Sequence, residues 1–100
     1  MVLDSRHTFS AAANFVTVME QRATHVTFAG EPTGGSLNNF GDVQRFDLPR
    51  TRYGIAVPTI YWEYAPGDPR LAIAPHLPVA LTSDDYFSLR DPVLEAVLND

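Results

Sequence analysis

Apolar and polar positions along this chain follow two periods in turn, first helical and then extended. Met1 to Asp4 is a short apolar piece that reads as the end of a strand. From Ser10 the pattern becomes helical. Ala12, Phe15, Val16 and Met19 form one stripe with a period of about 3.6 residues, and Glu20, Gln21 and Arg22 close it on polar ground. Thr24 to Ala29 predicts a strand, with Val26 and Phe28 on one face. Gly30-Glu-Pro-Thr-Gly-Gly-Ser36 is a loop that runs on to Gly41.

Two alternating segments come next. Val43 to Leu48 sets Gln44, Phe46 and Leu48 on one side, and Tyr53 to Trp62 sets Tyr53, Ile55, Val57, Thr59 and Tyr61 on one side. With a turn at Pro49 to Arg52 they predict an antiparallel hairpin covering Phe46 and Leu48. Pro58 has no N–H, so its strand belongs at an edge or at a bulge. Leu71 to Leu81 is apolar but broken by Pro75 and Pro78, which predicts an extended segment. Thr82 or Ser83 can cap a short helix through Leu89. Asp91-Pro92 starts a last helix with Val93, Leu94, Val97 and Leu98 as its buried stripe. The order is strand, helix, strand, hairpin, extended segment and two short helices, which is α/β in class. So little strand precedes Ser10 that we expect the chain to begin inside a domain.

Composition narrows the function. A chain of 100 residues holds one domain at most, and 45% apolar residues suffice for a core. Twelve acids against seven Arg and no Lys give a net charge of -5, which argues against nucleic acid as a partner. Without Cys there is no disulfide, thiolate chemistry or Cys-ligated zinc. The three His lack metal-ligand spacing, so no metal or other cofactor is expected. No apolar run reaches the roughly 20 residues of a membrane span. Met1-Val-Leu is followed at once by Asp4, Arg6 and His7, which is not a signal peptide.

Thr8-Phe-Ser-Ala-Ala-Ala-Asn-Phe15 places Ser10 at a strand-to-helix turn. The ordinary work of such a serine is to cap the helix by accepting backbone N–H groups. The alternative is nucleophilic. The free N–H groups of a helix N-terminus can hold the oxyanion of a tetrahedral intermediate, and the N–H of Ala11 is the natural donor. Ala11 and Ala12 are small enough to admit a substrate backbone.

Three segments together resemble tail-specific (C-terminal processing) serine proteases. Thr8 to Phe15 is similar to the family's Thr-x-Ser-Ala-x-Glu segment around the nucleophile. Gly30-Glu-Pro-Thr-Gly-Gly35 is similar to its Gly-Glu-x-Thr-x-Gly loop. Ile73-Ala-Pro-His-Leu-Pro-Val79, with Asp84 to Tyr86 and Arg90-Asp-Pro-Val-Leu-Glu95, resembles its Pro-Asp-x-Pro-Val and Asp-Pro-x-Leu ending. The resemblance spans nearly the whole chain, in order. It departs from the family at Ala13 (usually Glu) and at His76 (usually Asp). The family's Ser–Lys dyad has no counterpart, since Gly35-Ser36 stands in the Lys position and the chain has no Lys.

The resemblance implies that residues 1–100 are the C-terminal part of a tail-specific protease catalytic domain. The implied fold is a partial ββα superhelix, shared with crotonases and Clp-type proteases, with a β-hairpin and two short C-terminal helices. The implied reaction is peptide-bond hydrolysis of protein C-termini or unfolded peptides, in a family often exported from the cell. Ser10 would attack and the Ala11 N–H would supply half of the oxyanion hole. A base and a second donor would come from an upstream segment, so the isolated chain is expected to be inactive and open to self-association. A noncatalytic lipid- or peptide-binding or assembly module of the same fold is the alternative.

Other residues carry weaker signals. His7 is a candidate base three residues before Ser10, or an exposed strand-end side chain. His25 reads as a surface residue and His76 as a backbone partner. Glu31 reads as fixing its loop. Thr33-Gly34-Gly35 lacks the Lys and spacing of a phosphate loop. Tyr61, Trp62 and Tyr64 cover the hairpin or contact a peptide.

Overall fold

The computed structural model describes residues 1–99. The first strand, β1 (Val2–Asp4), leads through a turn into helix α1 (Ala11–Arg22), and the chain returns through β2 (Phe28–Gly30). The long strands β3 (Asn38–Asp47) and β4 (Gly54–Glu63) follow, then the two-residue β5 (Leu77–Pro78) and helices α2 (Ser83–Phe87) and α3 (Pro92–Asn99). The order is the expected one, and the fold is mixed α/β.

The main sheet is parallel, in the order β1-β2-β5, with Val2 beside Phe28, Asp4 beside Gly30, and Ala29 beside Leu77. A strand–helix–strand crossover joins its first two members. The middle strand, β2, is buried along its whole length. Both of its edges are paired, by β1 and by β5, and its faces are covered. Val16, Phe28, Leu37, Ala65 and Ile73 form the core beneath α1, with Val2, Met19 and Val26 packed around it.

The buried side of α1 is rotated from the expected stripe. Ala13, Val16 and Thr17 face the sheet, whereas Ala12 and Phe15 are exposed. Close approach of helix to sheet favours small residues on that side, and the Thr17 hydroxyl satisfies itself on the Ala13 carbonyl at 2.9 Å. The last helix also differs from expectation. It buries no residue fully, and Leu94 and Leu98 are exposed. Its start is as read, with the Asp91 carboxylate accepting the Leu94 N–H at 2.9 Å. Thr82 caps α2 in a reciprocal box with Asp85.

The hairpin pairs antiparallel in the register Phe40 to Tyr61, Gln44 to Val57 and Phe46 to Ile55. It projects as a two-stranded ribbon, so both strands are edges and Pro58 is tolerated. The ladder lapses beside Pro58, where Asp42 has φ 53° and its carbonyl accepts the Thr59 hydroxyl at 2.7 Å. Phe46 and Leu48 are not covered, being 52% and 39% exposed. The alternation was real, but nothing lies against that face. The radius of gyration is accordingly 17.0 Å, against about 13 Å for a compact chain of this length. Asn38 ties the base of the ribbon to the body. Its side chain accepts the Ala65 N–H at 2.9 Å and donates to the Ala65 and Asp68 carbonyls.

Candidate active site

Ser10 immediately precedes α1 and has φ 54° and ψ −127°. This is the conformation of the first central residue of a type II′ turn, where glycine is the usual occupant. A non-glycine residue held there costs about 1–3 kcal/mol, and such outliers concentrate at functional sites. The strain is not repaid by capping, because the Ser10 side chain accepts no hydrogen bond from the helix. Its carbonyl takes the first helical bond, from Asn14 at 2.9 Å, while the residue itself stays exposed. Steep strand-to-helix turns that present a nucleophilic serine share this geometry.

The backbone around Ser10 leaves a donor free. Ala12 N–H goes to the Phe9 carbonyl at 3.2 Å. Among the described residues, the Ala11 N–H has no partner. It lies at the positive end of α1, where an oxyanion is favoured. Ala11 also lines an open groove of about 290 Å³ with Asn14, Phe15, Val18 and Tyr64. The sequence pattern assigned Phe15 to the core, so this groove went unseen. The Tyr64 ring stacks on Trp62 at 6.3 Å, and Tyr61 lies against Phe40 at 4.8 Å.

The glycine-rich loop braces this turn from behind. The Gly34 N–H donates to the Thr8 carbonyl at 2.9 Å. A Cβ on Gly34 would lie 1.8 Å from the Arg6 carbonyl oxygen, so only glycine permits the approach. Thr33 is buried. Its hydroxyl donates to the Gly35 carbonyl at 3.2 Å and accepts the Ile73 N–H at 2.9 Å. Glu31 accepts two bonds from Arg6, at 2.6 and 3.2 Å, and this pairing holds its carboxyl below the usual range. It thereby ties the loop to the segment before Ser10. Arg6 is the partner that sequence reasoning missed, because nothing local joins residues 25 positions apart.

Among the described residues, no base is brought to Ser10 and its hydroxyl makes no hydrogen bond. His7 is exposed in a turn held by Ser5 and Thr8, and its ring makes no hydrogen bond to any described residue. His25 is exposed. His76 is a backbone partner as expected, its Nδ1 accepting the Phe28 N–H at 3.0 Å while the ring stacks on Phe28. Among the described residues, no group of three His, Cys, Asp or Glu could hold a metal ion, and no helix is long and apolar enough to cross a membrane. Comparison with protein-family models and with curated proteins gives no match.

Proposed function

We propose that Ser10 is the nucleophile of a serine-type peptidase of the tail-specific protease kind, and that the parallel β1-α1-β2 unit belongs to a ββα superhelix. One observation carries this reading: a strained serine at a helix start whose hydroxyl does not cap the helix and bonds to no other described residue. The braced glycine-rich loop supports it, since it puts two of the family-like segments in contact.

The Ser10 hydroxyl attacks a peptide carbonyl carbon and passes its proton to a base. The carbonyl oxygen becomes an oxyanion held by the Ala11 N–H. Collapse expels the amine, which takes up the proton, and leaves an acyl-serine that water hydrolyses. The groove beside Ala11 receives an apolar side chain next to the scissile bond. The base and the second oxyanion donor come from a segment upstream of Met1. Substrates are protein C-termini or unfolded peptides.

Turnover of a quenched fluorescent unstructured peptide by an upstream-extended chain, abolished by Ser10→Ala, is the expected result. Equal turnover by Ser10→Ala overturns the assignment. The second reading, a noncatalytic binding module of the same fold, is favoured by the lack of Lys and of any base at Ser10 among the described residues, and it predicts no turnover in any extended chain.

A further inference from the structure

A second site lies at the carboxyl ends of β1 and β2, where parallel sheets commonly receive ligands. A cavity of about 560 Å³ opens there. Asp4, the last residue of β1, lines it and is only 5% exposed. Both Asp4 carboxylate oxygens are buried without a hydrogen-bond partner. Buried carboxylates are almost always paired, and an orphaned one calls for an explanation.

The two arginines on the cavity wall are already engaged. Arg6 is held by Glu31, and Arg90 by Glu95 and Asp85, at 2.8 and 3.6 Å. Of the other acids on the wall, Glu31 is paired with Arg6 and Asp91 accepts the Leu94 N–H. The Asp4 carboxyl at the floor therefore has no side-chain partner among the described residues. Leu81 and Val93 supply an apolar wall beside it. Gly30 has no side chain to fill the space, and a Cβ there would lie 2.1 Å from the Asp4 carbonyl oxygen and 3.4 Å from Val93.

We propose that this cavity binds a cationic N–H donor on an alkyl stem, an alkylguanidinium or primary alkylammonium, with Asp4 as its counter-ion. The head group supplies the donors that both Asp4 oxygens lack, and the stem lies on Leu81 and Val93. The cation is a free small molecule or an Arg or Lys side chain of a bound peptide. Either source presents the same chemistry, and the site does not depend on Ser10 being a nucleophile.

Calorimetric titration of the 100-residue chain with n-butylguanidinium, n-butylammonium and the neutral isostere N-butylurea tests the assignment. Saturable binding of a cation is expected, with N-butylurea at least about tenfold weaker, because a bond to a charged group is lost. Asp4→Asn should weaken cation binding by a similar factor, while Glu63→Gln, on the ribbon and outside the cavity lining, should change it little. A capped peptide with a central Arg separates the two sources: tighter binding than butylguanidinium assigns the site to peptide side chains, and equal binding to free cations. No saturation by either cation at tens of millimolar overturns the proposal. So does N-butylurea binding as well as the cation, a comparison that needs no variant to fold.

Discussion

If Ser10 is strained for chemistry and does not cap α1, replacing it should affect stability in an unusual order. Its φ of 54° is one that glycine adopts without cost. Relieving the strain returns about 1–3 kcal/mol, and the freer unfolded chain takes back about 0.5–1 kcal/mol. Ser10→Gly should thus gain about 1 kcal/mol. In a domain of this size that raises Tm by roughly 4–8 °C. Ser10→Ala keeps the strain and breaks no hydrogen bond, so it should stay within about 0.5 kcal/mol of the wild type. A capping serine instead leaves both variants less stable than the wild type, with Ala costing about 1 kcal/mol and Gly a few tenths. Urea denaturation of the three proteins, followed by circular dichroism at neutral pH, separates the two cases. A loss of about 1 kcal/mol in Ser10→Ala, with no gain in Ser10→Gly, would refute the reasoning.

Burial pushes the Asp4 carboxyl above its ordinary value. Across the window from that value, about 4, up to the raised one, the native state holds a proton that the unfolded state has released. Stability therefore falls as pH rises through the window. Asp4→Asn should raise neutral-pH stability by about 1 kcal/mol and flatten this dependence; urea midpoints across acidic pH would show it, and a loss at neutral pH would contradict it. The accessible surface is 7329 Å², roughly 1,700 Å² more than a compact protein of this mass exposes, and Phe40, Phe46, Tyr53 and Val57 stand open on the ribbon. Sedimentation velocity should detect concentration-dependent association of the chain, reduced by Phe40→Ser with Phe46→Ser; a wild type monomeric at all concentrations would oppose this. Asn38→Ala removes three bonds at the ribbon base and should cost about 1–3 kcal/mol, read from the denaturation midpoint.

Much of the fold was legible because punctuation is strong here. Pro49 marks the turn between the hairpin strands and Asp91-Pro92 starts the last helix, and the extended alternation of 43–48 and 53–62 gave the hairpin its faces. What that alternation could not show is whether anything lies against the ribbon, since burial depends on neighbours distant in sequence. The phase of α1 slipped because a helix close to a sheet buries Ala13 and Thr17, not the large Phe15. The parallel pairing of β5 was hidden by Pro75 and Pro78, although the bonds to β2 come from the His76 and Val79 N–H groups, one residue after each proline. At the candidate site, Ser10 and Ala11 were legible only as candidates, from the turn pattern together with the family resemblance. The groove with Tyr64, the Arg6–Glu31 brace and the orphaned Asp4 could not, for each arises only when remote segments meet.

The central claim, that the Ser10 hydroxyl is built to attack a carbonyl, is tested most directly by covalent labelling with a fluorophosphonate probe read by peptide mass spectrometry. The isolated chain should not label, because among the described residues no base reaches Ser10. An upstream-extended chain should label at Ser10, and Ser10→Ala should abolish the adduct. An extended chain that hydrolyses peptide but carries the label on a residue other than Ser10 would contradict the account.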